Sequence, residues 1–233
     1  MLVPRTDAQA PATNAAGLSF TTIDVPFSGV SETQAIGINN RGQIVGFYND
    51  STGMHGFVDD NGRFDAINVP IPGAIGTELD GVNDRGQIVG NYTTSGGLEH
   101  GFLDDREAFS SIVAPFPGTV GTLAFEINDK GQIVGIYGTS TGAHGFVDDN
   151  GKFSPIDVPF SGAHDTSPLG INNRDQIVGA YVDAGGIHGF LAGPCFAQGM
   201  PVLRLDDDGN PVFLRVRCKD DDPDQEHGEF SER

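Results

Sequence analysis

Between Ala35 and Val69 apolar residues alternate with small or polar ones in short runs, and each run ends in a cluster of Asn, Asp or Gly. Alternation of period two over five or six residues, bounded by turn formers, is the pattern of half-buried β-strands. Ala35 to Asn39 and Gln43 to Tyr48 read as a first and a second strand, turned by Asn40-Arg41-Gly42. His55 to Asp59 reads as a third. Asn61-Gly62, a pair that accepts the positive φ of a tight hairpin, then leads into a fourth strand from Arg63 to Val69. The pattern predicts a four-stranded antiparallel meander and almost no helix.

The same pattern returns along the chain. The phrase Gln-Ile-Val-Gly-x-Tyr recurs with its Gly at Gly46, Gly90, Gly135 and Gly179, at spacings of 44, 45 and 44 residues; Gly precedes the Gln in three copies and Asp175 in the last. His-Gly-Phe followed by Val or Leu starts at His55, His100, His144 and His188. Ile-x-Val-Pro or a variant spans Ile23 to Pro26, Ile67 to Pro70, Ile112 to Pro115 and Ile156 to Pro159. Self-similarity at such a period marks an array of units that bury their faces on one another.

The phase of the repeat predicts how the array ends. Phe20 to Val25 has the sequence of a fourth strand with no unit before it, while the last unit stops after His188 to Leu191 without one. In a ring, the first piece completes the last unit and hides two strand edges that would otherwise pair with other chains. The expectation is therefore an all-β, four-bladed β-propeller of four-stranded antiparallel blades, with the N-terminal strand closing the last blade. An open array of sheets, or half of an eight-bladed ring formed by two chains, is the alternative. First strands lie innermost in this reading, where Gly37, Gly81 and Gly170 suit a narrow axis and Glu126 takes the same place in the third unit. Residues 1–18 read as a disordered N-terminal segment and 19–193 as the repeats. Residues 194–233 read as one hairpin, Val202 to Leu205 with Val212 to Val216, and a disordered acidic tail.

Composition supports the strands and narrows the partners. The chain of 233 residues can bury a core without metal or disulfide staples, and its 34 Gly and 14 Pro fit many tight turns. A net charge of −19 repels phosphate backbones and anionic lipid, which argues against nucleic acid as a partner. Only −5 of that charge falls after residue 193, so the repeats are acidic too. No apolar run approaches the roughly 20 residues of a membrane span, so membrane insertion is not expected, and the first 17 residues lack a signal-peptide core. Cys195 and Cys218 lie outside the repeats and fit one disulfide or two thiols, leaving the compartment open.

The units Gly-Ile-Asn-Asn-Arg-Gly-Gln-Ile-Val-Gly-x-Tyr, His-Gly-Phe-Val-Asp-Asp-Asn-Gly and Phe-x-x-Ile-Asp-Val-Pro resemble the bacterial HAF repeat family over residues 20–191. The resemblance implies a propeller-like fold and an extracellular setting. It assigns no activity and no catalytic or binding residue.

Loops on a rigid scaffold are where propellers place function, so the candidate residues are sought there. The long connections carry Phe27, Ile71, Phe116 and Phe160, near the Tyr that ends each second strand and the His that opens each third. The pairs Tyr48 and His55, Tyr92 and His100, Tyr137 and His144, and Tyr181 and His188 could frame shallow pockets for a sugar, an aromatic face with a few fixed polar groups being what such ligands need. They could equally recur because every unit solves one packing problem. No metal site and no cofactor is read from the sequence: third strands hold the four His away from the axis, and the Asp-Asp-Asn-Gly runs lack calcium-loop spacing and suit hairpin turns. A catalytic site on a pseudo-symmetric scaffold should break the repeat, and Glu126, His164 and Asp165 do so. The sequence thus favours a non-enzymatic binding module for a glycan or a protein, monomeric or homodimeric. A hydrolase or lyase near the axis and a structural surface repeat are the alternatives.

Overall fold

The computed structural model describes residues 12–13, 16–194, 201–205 and 211–215. The disorder expected for most of 1–18 and for the acidic tail, and the state of Cys195 and Cys218, lie outside these residues. Every described regular element is a β-strand. The chain divides into two compact units, residues 1–192 and 193–233. In the second, β18 (Pro201–Leu205) and β19 (Pro211–Arg215) pair antiparallel with Leu203 opposite Phe213.

In the first, a short pair, β1 (Ala12–Thr13) and β2 (Ser19–Phe20), precedes four repeats. Repeat 1 is the meander β3 (Glu32–Ile38), β4 (Gln43–Asp50), β5 (Gly53–Asp60) and β6 (Arg63–Ile67). Repeat 2 is β7 (Ala74–Val82), β8 (Gln87–Thr94), β9 (Glu99–Asp105) and β10 (Ala108–Ile112). Repeat 3 is β11 (Gly121–Ile127), β12 (Gln132–Thr139), β13 (Gly142–Asp149) and β14 (Lys152–Ile156). Repeat 4 has three strands, β15 (His164–Ile171), β16 (Ile177–Asp183) and β17 (Gly186–Ala192). A single parallel bridge, Thr122 opposite His100, joins β11 to β9, so repeats 2 and 3 run as one eight-stranded sheet.

Local chemistry sets the turns. Asn39 Oδ1 accepts from Arg41 N and Gln43 N, each at 3.0 Å, and folds the chain between first and second strands; Asn83, Asn128 and Asn172 do the same. Gly42, Gly86 and Gly131 take the positive φ this turn needs, and in repeat 4 Asp175 takes it at 60°. In the next hairpin, Asp59, Asp104 and Asp148 accept from the backbone N–H three residues on, at 2.5 to 2.6 Å, and Asn61 and Asn150 sit at φ near 55°. The Asp-Asp-Asn-Gly runs are hairpin turns.

The core lies between repeats. Val45, Val69, Leu79, Val82, Ile88 and Phe102 form a cluster across repeats 1 and 2, and Val89, Ala124, Ile127, Ile133 and Phe146 form one across 2 and 3. Each following first strand presses a side chain onto the Gly of the preceding His-Gly-Phe: Leu79 on Gly56, Ala124 on Gly101, Pro168 on Gly145. Each connection is tied down by one bond from the backbone N–H of Val25, Val69, Ala114 or Val158 to a Thr hydroxyl eight residues later.

Closure by the N-terminal strand is not formed. Of the expected Phe20 to Val25 segment only Phe20 is strand, as the end of β2, and β2 pairs with β1 rather than β17. The outer edge of β17 carries no partner among the described residues, and repeat 4 does not continue onto β3. The sheets therefore form an open array. Pairing distant ends requires the rotation between neighbours to add up to a full turn, a quantity that the pattern of one repeat does not contain.

Candidate functional site

The recurring Tyr and His occupy one edge of the array. They face each other across a registered pair of strands, Tyr48 opposite His55 and likewise in each repeat, with ring centroids 5.1 to 5.3 Å apart. Phe27, Phe116 and Phe160 lie 4.7 to 5.3 Å from Tyr48, Tyr137 and Tyr181. Tyr48, Tyr92 and Tyr137 are buried, and burial followed by a nearby Asp raises the pKa of Tyr48 and Tyr137. In repeats 1 and 3 the buried Tyr ring thus has both a His and a Phe against it.

The His side chains organise the hairpin loops. His55 Nδ1 meets Asn68 Oδ1 at 2.8 Å, and its Nε2 meets Thr52 Oγ1 at 2.8 Å and Asp50 at 3.2 Å. His144 pairs with Asp157 at 3.2 Å, and His188 with Asp183 at 2.9 Å. Hydrogen bonds from the Thr52 hydroxyl and backbone hold Asp50 below the usual carboxylate range, and the Gly185 N–H leads the same effect at Asp183.

The opposite edge, where first strands turn into second strands, forms a cleft of about 210 Å³ to which all four repeats contribute. Its apolar walls are Ile38, Val82, Ile127 and Ile171, and its polar rim is Asn39-Asn40, Asn83-Asp84, Asn128-Asp129 and Asn172-Asn173. A hydrogen-bond ladder links the rim. Asn39 Nδ2 donates to Asn83 O at 2.9 Å, Asn83 Nδ2 to Asn128 O at 3.0 Å, and Asn128 Nδ2 to Asn172 O at 3.1 Å. A parallel set runs from Asn40 N to Asp84, Asp84 N to Asp129 and Asp129 N to Asn173, at 2.7 to 2.8 Å.

Glu126 also lines this cleft. Its carboxylate covers Gly81, where a Cβ would come within 2.7 Å of Oε1, and accepts from Ile127 N at 3.0 Å; burial raises its pKa. Beside it stands Asp80, whose carboxyl burial lifts to about 8, with Glu78 adding to the rise and a hydrogen bond from Asn91 opposing it. Asn91 Nδ2 reaches Asp80 Oδ2 at 2.9 Å and Ala124 O at 3.2 Å, while Asn91 Oδ1 accepts from Ala124 N at 3.0 Å. The sequence reasoning missed Asp80 and Asn91. The signal was present, because by repeat alignment Asp80 replaces Ile36, Phe125 and Leu169, and Asn91 replaces Phe47, Ile136 and Ala180.

His164 and Asp165 do not join Glu126. Asp165 Oδ1 accepts from Ala143 N at 2.8 Å at the start of β15, and His164 Nε2 lies 3.7 Å from Asp165 Oδ2. By register Asp165 corresponds to Gly121, five residues and about 16 Å along the strand from the level of Glu126. The three residues form no single constellation.

No protein-family model matches this chain, and no curated protein does. Among solved structures it is similar to the β-propeller domain of the Trilobed protease from Pyrococcus furiosus, described as having an open velcro topology, with a TM-score of 0.47 and 12% identity over 78% of this chain. A mutant of AofleA from Arthrobotrys oligospora gives a TM-score of 0.38 and 13% identity over 83% of this chain and 67% of that one. YCF48 bound to D1 peptide gives 0.29 and 12% over 78% and 74%. The chain spans 57% of the length of the first of these.

Proposed function

We propose that the four repeats are HAF-type units acting as four propeller blades, and that the chain is a non-enzymatic binding module for a glycan or a protein. The observation that carries this reading is the cleft: four apolar side chains under a rim of amides and carboxylates, one set from each repeat. The lining is mostly polar, and amides and carboxylates held in place by the repeat are fixed hydrogen-bond partners for a polar ligand such as a glycan or a peptide backbone. The His-centred hairpin loops offer a second polar edge, whereas the enclosed Tyr rings serve packing. A glycan array and a displayed peptide library, each probed with the purified chain, test the reading. Binding by the parent that is lost in a folded Ile38→Ser, Ile171→Ser variant is the expected result, and absence of any ligand from both screens overturns it.

A second reading, a hydrolase or lyase, is favoured by one observation: two carboxyl groups of raised pKa, Asp80 and Glu126, meet at one junction. A carboxyl kept protonated near neutral pH can act as a general acid. Turnover of a chromogenic glycoside that disappears in Glu126→Gln supports this reading; turnover unchanged in that variant removes it.

A further inference from the structure

The two ends of the array expose positions that are buried at its inner junctions. At positions that are fully buried in three repeats, the fourth is open: Val45, Val89 and Val134 have no exposed surface, and Val178 is 51% exposed. Phe57, Phe102 and Phe146 are fully buried, but Phe190 is only half-buried. Gly56, Gly101 and Gly145 are covered by the next repeat, but Gly189 is exposed. At the other end the converse holds. Leu79, Ala124 and Pro168 are buried against those glycines, and their counterpart Ala35 is exposed. The Asn ladder stops in the same place: Asn172 Nδ2 bonds Gln176 Oε1 at 2.9 Å, and the onward bond made by Asn39, Asn83 and Asn128 has no counterpart among the described residues.

We propose that these ends are filled by a second copy of the chain, repeat 4 of each copy receiving repeat 1 of the other, so that two chains close one ring of eight repeats. The occupant is specified by continuity with the three junctions already present. Ala35 of the second copy fits over Gly189 as Ala124 fits over Gly101, and Asn172 Nδ2 donates to Asn39 O of the second copy. The segment 20–24 matches the outer strands in sequence, Phe-Thr-Thr-Ile-Asp beside Phe-Asp-Ala-Ile-Asn of 64–68, and is largely exposed. Added to β17 in the register of β6 on β5, where Phe57 faces Ala66 and Val58 faces Asp65, it sets Phe190 opposite Thr22 and Leu191 opposite Thr21. Both junctions are head-to-tail, so the pair closes only if the accumulated rotation returns to the start. The charge of −19 on each copy opposes the contact, and salt relieves that repulsion.

Light scattering on the purified full chain, at low and raised salt, is the direct test. Twice the chain mass, with the dimer fraction rising with salt, is expected. Val178→Asp and Gly189→Glu, both at exposed sites, should leave the circular dichroism unchanged and give monomers. In a Cys195→Ser, Cys218→Ser background, mixing differently tagged Thr21→Cys and Leu191→Cys chains should yield a disulfide-linked heterodimer. A monomer under all conditions overturns the proposal. So does an open-ended polymer, or a cross-link that forms only within one chain carrying both cysteines.

Discussion

Two junctions of the same repeat are held together by different chemistry. Between repeats 2 and 3, Asp80, Asn91 and Glu126 occupy positions that hold Ile36, Phe47 and Gly81 one repeat earlier. Between repeats 3 and 4 the same places carry Phe125, Ile136 and Gly170. The backbone-directed contacts do not change: the Asn ladder and the small residue over glycine recur at both. The difference teaches that backbone contacts fix the junction, while side chains a few positions away are free to become a polar network. Such a network must be fully hydrogen-bonded to be tolerated, and no buried side-chain polar atom of the described residues lacks a partner.

The largest effect is expected from Gly90→Val, inside repeat 2 from which both neighbouring junctions are built, because a Cβ there collides with the backbone of Glu78 and Leu79. The chain should fail to fold, with loss of the β-sheet circular dichroism signal. Asn128→Ala comes next. It removes bonds to its own turn and to Asn172 O, leaves partly buried backbone groups unpaired, and should cost about 1–3 kcal/mol in urea unfolding.

Asn91→Ala sharpens the contrast, since it strips partners from Asp80 and from both backbone groups of Ala124. It should cost about 1–3 kcal/mol, whereas Ile136→Ala at the apolar junction loses packing alone and leaves the pH dependence unchanged. Asp80 supplies that pH dependence. Its folded value near 8 stands above the ordinary 3.8, so between these values the folded chain holds a proton that the unfolded chain has released. Stability from this group is fully present below about pH 4 and is lost as pH rises through 8. Asp80→Asn should flatten the melting temperature over that window and raise it at the alkaline end. The smallest effect belongs to Lys130→Ala, which breaks an exposed pair with Asp175 at 2.6 Å and should change stability by less than about 1 kcal/mol.

Much of the local structure was legible because each repeat states it again. The four strands of repeat 1 fall within three residues of their sequence-based limits, and the extra length lies at ends where alternation fades into loop. Asp175 was visible as an irregularity and proves to adopt the left-handed turn conformation of the glycines it replaces. The Tyr and His pairing was visible as spacing, but enclosure of the Tyr rings was not, because Phe27 and Phe116 reach them from connections about 20 residues earlier. Glu126 stood out because it replaced Gly. Asp80 was overlooked because an acidic residue on a strand of an acidic chain attracts no notice until its neighbours are known.

The sequence by itself determined the repeat, its strands and turns, and the small residues on which one repeat rests against the next. These follow from side-chain alternation and turn chemistry, which act within a few residues. Only the tertiary structure decided that the array stays open, that repeats 1 and 4 keep matching exposed faces, and that burial raises the pKa of a carboxyl between repeats 2 and 3. Rotation between neighbours accumulates over the whole array, and protonation depends on groups brought together from tens of residues apart. Neither quantity is contained in any single repeat.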